Sequence, residues 1–227
     1  MKFEGFLGDK AMKARKVLFY LLAGLLGGCV LSVHPLFNPE DLVFEEKLLG
    51  VWAEENSKET WEFGRHGDED DKRYTFVYTD SEGKTGEFLA SLGKLNEMLF
   101  LDLYPEQPDV NANAFYKHHL LGAHTFMKIE QIGPTLQMRV MSPDKMEEML
   151  KADPNLVEHE VLEERDSQIL LTASTKELQR FMVEHANDEG LFDKPRDMKR
   201  LEAVEPNEAN TAEPVETEPN INDVNQS

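Results

Sequence analysis

Cysteine is nearly absent from this chain of 227 residues: Cys29 is the only one. A single thiol closes no internal crosslink, so the fold must hold without disulfides, and paired-cysteine zinc sites and haem-attachment motifs are excluded. Positive charge is also scarce, with 24 Lys+Arg against 44 Asp+Glu and a net charge of −20. Such a surface repels phosphate backbones, so no nucleic-acid partner is expected. Long apolar runs are missing too. The longest, VLFYLLAGLLGG at 17–28, is shorter than the roughly 20 residues a helix needs to cross the hydrocarbon core. Neither a G-x-S-x-G elbow nor a phosphate-cradling glycine loop occurs, and no enzymatic activity or cofactor is expected.

What the N-terminus does hold is ordered by charge and size. Lys2, Lys10, Lys13, Arg15 and Lys16 precede the apolar run, against only Glu4 and Asp9. A basic region, a short apolar region and small residues at its end have the form of a secretory signal. Its last residues, Leu26-Gly27-Gly28-Cys29, resemble a bacterial lipobox. That resemblance implies a diacylglyceryl group on the Cys29 thiol and cleavage immediately before it, making 1–28 a disposable signal peptide. The mature chain is then expected in the cell envelope, held by lipid to a membrane outside the cytoplasm. Val30 after the cysteine is compatible with sorting to an outer membrane where the host has one. More than one acyl chain makes such an anchor effectively permanent.

Composition divides the remainder. Residues 29–44 contain Pro35 and Pro39 and read as an extended spacer. Residues 193–227 are rich in Glu, Asn, Pro and Thr and read as a disordered acidic tail, since they bury too little surface to offset ordering entropy. The folded unit is expected over 45–192.

Within it the dominant hydrophobic period is two. Tyr74, Phe76 and Tyr78 alternate with Thr75, Val77 and Thr79; Leu136, Met138 and Val140 alternate with Gln137 and Arg139. Trp61 with Phe63, and Phe88 with Ala90 and Leu92, continue the pattern, while MLFLDL is apolar on both faces apart from Asp102. SQILLTA adds another strand. Connectors such as ENSK, DSEGK and QIGP are too short for parallel crossovers, so neighbouring strands must be antiparallel. About eight strands in meander order close most readily into a barrel. Two helices interrupt them. One starts at Ser142-Pro143 with Met146, Met149 and Leu150 as its stripe; the other starts at the capping box Ser174…Glu177 with Leu178, Phe181 and Met182, and is expected outside the barrel.

Gly50-Val51-Trp52, where the first strand opens, resembles the G-x-W motif of lipocalins, in which the tryptophan closes one barrel end. The meander and the helix after the strands agree with this likeness. The fold expected is therefore mainly β, a lipocalin-like antiparallel meander barrel with two short helices. The resemblance also implies a late arginine over Trp52, for which Arg165 and Arg180 are candidates.

Barrels of this size hold one small apolar ligand or fill with side chains. The inward set, Trp52, Trp61, Phe63, Tyr74, Phe76, Tyr78 and Phe88, is bulky enough for the second outcome. A small apolar ligand or lipid ranks first as partner, and an envelope protein contacted by a filled barrel second. Three metal candidates are weak. HEVLE at His159–Glu163 lacks the second histidine of a zinc helix, and His118 and His124 on one strand would stand about 20 Å apart. Asp68-Glu69-Asp70-Asp71 lacks the spaced ligands of a calcium loop and reads as a solvated hairpin tip. No metal is expected.

Overall fold

The computed structural model describes residues 29–106, 111–163 and 168–201. The expected signal peptide at 1–28, Arg165 and the chain beyond residue 201 lie outside them. The strands are β1 (Leu31–Ser32), β2 (Gly50–Glu54), β3 (Thr60–Arg65), β4 (Tyr74–Thr79), β5 (Thr85–Leu95), β6 (Met98–Pro105), β7 (Thr125–Ile132), β8 (Thr135–Val140), β9 (His159–Leu162), β10 (Gln168–Leu171) and β11 (Arg196–Arg200). The α-helices are α1 (Ala114–Lys117), α2 (Pro143–Ala152) and α3 (Thr175–His185).

Eight strands close an antiparallel barrel in the order β11-β2-β3-β4-β5-β6-β7-β8. Seven of them follow the expected meander. The eighth is β11, which seals the gap by pairing Met198 with Glu54 on β2 and with Leu136 on β8. Alternation places Trp52, Phe63, Tyr74, Phe76, Leu101 and Met138 in one buried interior cluster. Each large side chain removed from water there contributes about 1.5–3 kcal/mol. For orientation, the end carrying Gly50, Arg65, Tyr74 and Arg200 is the lower end; Pro105, Thr125 and Arg196 mark the upper.

A second core lies outside the barrel wall. On β6, Leu99, Leu101 and Leu103 face inward, so Phe100, Asp102 and Tyr104 must face out, and Phe100 is nonetheless fully buried. Its cover is the excursion between β8 and β11. That excursion leaves and returns at one place, where Met141 bridges Phe192 and the Ser142 N–H donates to the Leu191 carbonyl. Both predicted helices sit in it: Ser142 caps α2, and the Ser174/Glu177 capping box starts α3. Leu178, Phe181 and Met182 of α3 join Phe100, Phe126 and Leu95 in the outer core, as expected for a helix against the barrel's outside.

Three expectations need correction. SQILLTA is not a barrel strand: as β10 it runs parallel to β1 and antiparallel to β9 in a separate three-stranded sheet. The apolar outer faces of β5 to β7 need a cover, and that sheet with α2 and α3 supplies it. Residues 29–44 are no free spacer, because Val30, Leu36 and Phe37 are buried in the outer core and residues 35–42 form a strap across the wall. Leu36 and Phe37, set between two prolines, are the side chains that a spacer has no reason to carry. Finally, residues 196–200 belong to the barrel, not to the tail. Arg196, Met198 and Arg200 share one face of β11, and Met198 is 1% exposed inside. One apolar residue among four charged ones gave a strand signal too weak to separate from the acidic tail.

Candidate functional site

The barrel interior is packed with rings. Phe63 stacks on Phe76 at 4.8 Å, Trp61 lies 5.2 Å from Phe76, and Phe88 lies 5.6 Å from Phe76. A ligand-sized void would leave its walls open to a water-sized probe. Instead Trp52, Tyr74, Leu92, Leu101, Leu136 and Met138 have no accessible surface, and Trp61, Phe63, Phe76 and Ile129 have at most 6%. Tyr78 and Phe88, at the upper end, are half-buried.

The lower end is closed by chain as well as rings. A 3-10 turn, Glu46–Leu48, inserts Leu48, whose carbonyl accepts the Trp52 indole N–H at 2.8 Å. The guanidinium of Arg200, the cross-strand partner of Trp52, lies 4.3 Å from the Trp52 ring centroid. It also donates to the carbonyls of Lys47, at 2.6 Å, and of Leu49. The arginine over Trp52 is therefore Arg200. Arg180 lies on α3 outside the barrel, and Arg165 is outside the described residues. Beside this contact, Phe44 stacks on Tyr74 at 4.8 Å beneath the Arg65 guanidinium. The Tyr74 hydroxyl accepts the Glu45 N–H at 2.6 Å and donates to the Glu45 carbonyl at 3.3 Å. Burial, the largest cause, pushes the Tyr74 phenol up to about 12.

A cleft of about 270 Å³ opens on the outer wall under the strap, lined mainly by Pro35, Phe37, Leu89, Arg73, Tyr104 and His124. Its polar floor is Asp102. One carboxylate oxygen of Asp102 accepts the Leu36 backbone N–H at 2.8 Å, and the other accepts from His124 Nδ1 at 2.8 Å. Asp102 is 3% exposed, so these bonds replace the water it gave up. The Tyr104 ring covers the imidazole at 4.7 Å. Ser91, opposite Asp102 in the ladder, lines the same cleft. An Asp–His pair beside a serine has the residue types of an acyl-transfer site. Here, however, the carboxylate is shared with the backbone of the strap, so the pair fastens residues 35–37 to the wall. The sequence pointed to Asp102 only as the single polar residue in MLFLDL.

The remaining sequence candidates are dispersed. His118 and His124 do not share a strand: His118 ends α1, and His124 exchanges two backbone hydrogen bonds with Ser32 ahead of β7. The first four residues of HEVLE are extended as β9 (His159–Leu162), without the α-helical turn a zinc motif needs. Asp71, in the β3–β4 hairpin, receives a two-pronged bond from Arg73 at 2.7 and 2.9 Å and contacts His66 Nδ1 at 2.8 Å. The Arg73 bonds, the largest cause, hold its carboxyl well below the usual range. Among the described residues no group of three or more His, Cys, Asp or Glu is placed to hold a metal ion, and no helix is long and apolar enough to cross a membrane.

Cys29 is exposed. Its carbonyl accepts from Gln168 Nε2 at 3.2 Å at the start of β10, and desolvation by the atoms packed around it, the largest cause, pushes its thiol up. One residue later the chain is already buried, with Val30 4% exposed. Compared with known families, curated proteins and solved structures, the chain matches no family model, no curated protein and no solved structure.

Proposed function

We propose that this chain is a lipid-anchored protein of the cell envelope whose barrel is a filled, non-enzymatic scaffold, acting through the partners its outer surface contacts. The packed interior carries the choice between carrier and scaffold. With Phe63 stacked on Phe76 and both buried in one cluster with Leu101, an apolar ligand would have to displace core side chains at a cost of several kcal/mol. The anchor itself rests on the lipobox-like Leu26-Gly27-Gly28-Cys29 and on the exposure of Cys29. The Trp52–Arg200 contact, with its adjoining 3-10 turn, supports the likeness to lipocalins in architecture. A ligand-carrying reading keeps one observation in its favour, the 270 Å³ cleft under the strap. Any such ligand would sit on the wall and not in the barrel.

Two measurements test the proposal. Metabolic labelling with an alkyne fatty acid is expected to mark the wild type and not Cys29→Ser; equal labelling of both refutes the anchor. Native mass spectrometry of gently purified protein is expected to show the polypeptide and its anchor alone. A stoichiometric small molecule recovered in repeated preparations refutes the filled scaffold, and its loss in Leu89→Trp assigns it to the cleft.

A further inference from the structure

Residues 106–124 connect β6 to β7 at the upper barrel end, and from residue 111 on, past Glu106 and Asp109, they differ from the rest of the molecule in two ways. First, this stretch of a strongly acidic chain holds no Asp or Glu, and carries Lys117, His118, His119 and His124. Second, it exposes its large apolar side chains: Leu121 is 88% exposed, Phe115 77% and Tyr116 56%. Loose structure does not account for this. Asn113 caps α1 by accepting the Tyr116 N–H at 2.9 Å, and His119 Nδ1 bonds the Phe115 carbonyl at 2.7 Å. Gly122 lies so close to the Tyr104 ring that a Cβ there would overlap it. The loop is thus braced with its apolar residues pointing away from the protein.

Its position relative to Cys29 gives those residues a partner. Ser32 and His124 exchange two backbone hydrogen bonds. Cys29 lies three residues before Ser32, and Leu121 three before His124. At no more than about 3.6 Å per residue, neither lies more than about 11 Å along the chain from that bridge; the bridge is antiparallel, so the two segments leave it in opposite directions and Cys29 and Leu121 flank it within about 22 Å of each other. Because Val30 is already buried, no spacer separates a lipid on Cys29 from the folded domain, and the surface around Cys29 must rest against the headgroups.

We propose that residues 111–123 are a second membrane contact, in which Phe115, Tyr116 and Leu121 enter the bilayer interface while Lys117, His118 and His119 meet lipid phosphate. This rests on the lipid-anchor reading of Cys29. Aromatic and aliphatic side chains beside a lysine and hydrogen-bonding imidazoles are a composition suited to this depth. Two contacts fix the barrel's tilt, so the β3–β4 hairpin and its acidic tip, at the opposite end, project away from the membrane.

The test uses the full-length protein expressed in cells, purified and reconstituted into phosphatidylethanolamine/phosphatidylglycerol vesicles containing brominated lipid. Lipidation consumes the Cys29 thiol, so Leu121→Cys and, separately, Glu69→Cys each offer one thiol for a fluorescent label. Intact mass establishes the lipid on each protein first. Bromine quenching at position 121 is expected to exceed that at position 69 by about threefold or more, and adding Phe115→Ser with Tyr116→Ser is expected to reduce it. Both changes fall on exposed side chains, so folding is retained and verified by circular dichroism. Lipidated protein with equal, weak quenching at both positions overturns the loop contact and leaves the anchor standing. Protein whose mass shows no lipid overturns the anchor reading and this proposal with it.

Discussion

Replacing Arg200 with alanine tests the claim that the last described strand locks the barrel. The guanidinium makes three contacts with the lower end: the Trp52 ring at 4.3 Å, the Lys47 carbonyl at 2.6 Å and the Leu49 carbonyl. A cation over an indole at an accessible site contributes about 0.5–1 kcal/mol. Each hydrogen bond adds about 1 kcal/mol net, since Arg200 is exposed and water competes for it. Arg200→Ala should therefore cost about 2–3 kcal/mol, and for a domain of this size lower Tm by about 5–10 °C. Arg200→Lys separates charge from geometry, because an ammonium can face the ring but cannot span two carbonyls as a planar fork does. It should recover less than half of the loss. Chemical denaturation followed by tryptophan emission suits the question, since Trp52 lies under the guanidinium and Trp61 is its buried cross-strand partner. A loss below about 0.5 kcal/mol in Arg200→Ala, within the range of ordinary surface substitutions, would refute the locking role.

Four further outcomes follow from the same geometry. Gly93→Ala places a Cβ where the Phe37 ring sits; it should destabilise by about 1–3 kcal/mol and make the strap at 35–42 more sensitive to limited proteolysis. Asp102→Ala leaves the Leu36 N–H and His124 Nδ1 without their acceptor and should cost about 2–4 kcal/mol, with hydrogen exchange speeding up first at residues 35–37. The Tyr74 phenol is raised by burial, to about 12, so the fold favours its neutral form. That contribution is complete below the unfolded value near 10 and is lost as pH climbs through about 12, and absorbance at 295 nm should show a late-ionising tyrosine missing in Tyr74→Phe. Asp71 is shifted the other way by Arg73. Its contribution is present above the unfolded value near 4 and lost as pH falls below it, so Asp71→Asn should flatten the acid limb of a stability–pH curve between pH 5 and 2.

The sequence by itself determined the barrel's inner face and most of its order. A two-residue period is local, so Trp61 with Phe63, Tyr74 with Phe76 and Leu136 with Met138 could be assigned to one side of their strands before any partner was known. Short connectors then made the neighbours antiparallel, and the caps at Ser142 and Ser174 placed both longer helices. Only the tertiary structure decided what the opposite faces did. Phe100 and Phe126 on the barrel wall, Leu171 on β10 and Leu36 in the strap form one core, yet each comes from a separate stretch whose local pattern carries no address for the others. The same holds for Arg200. Its strand is mostly charged, and it reads as tail until β2 and β8 are seen to leave a gap that Met198 fills from within. Periodicity records which way a side chain points, whereas closure depends on which distant edge remains unpaired.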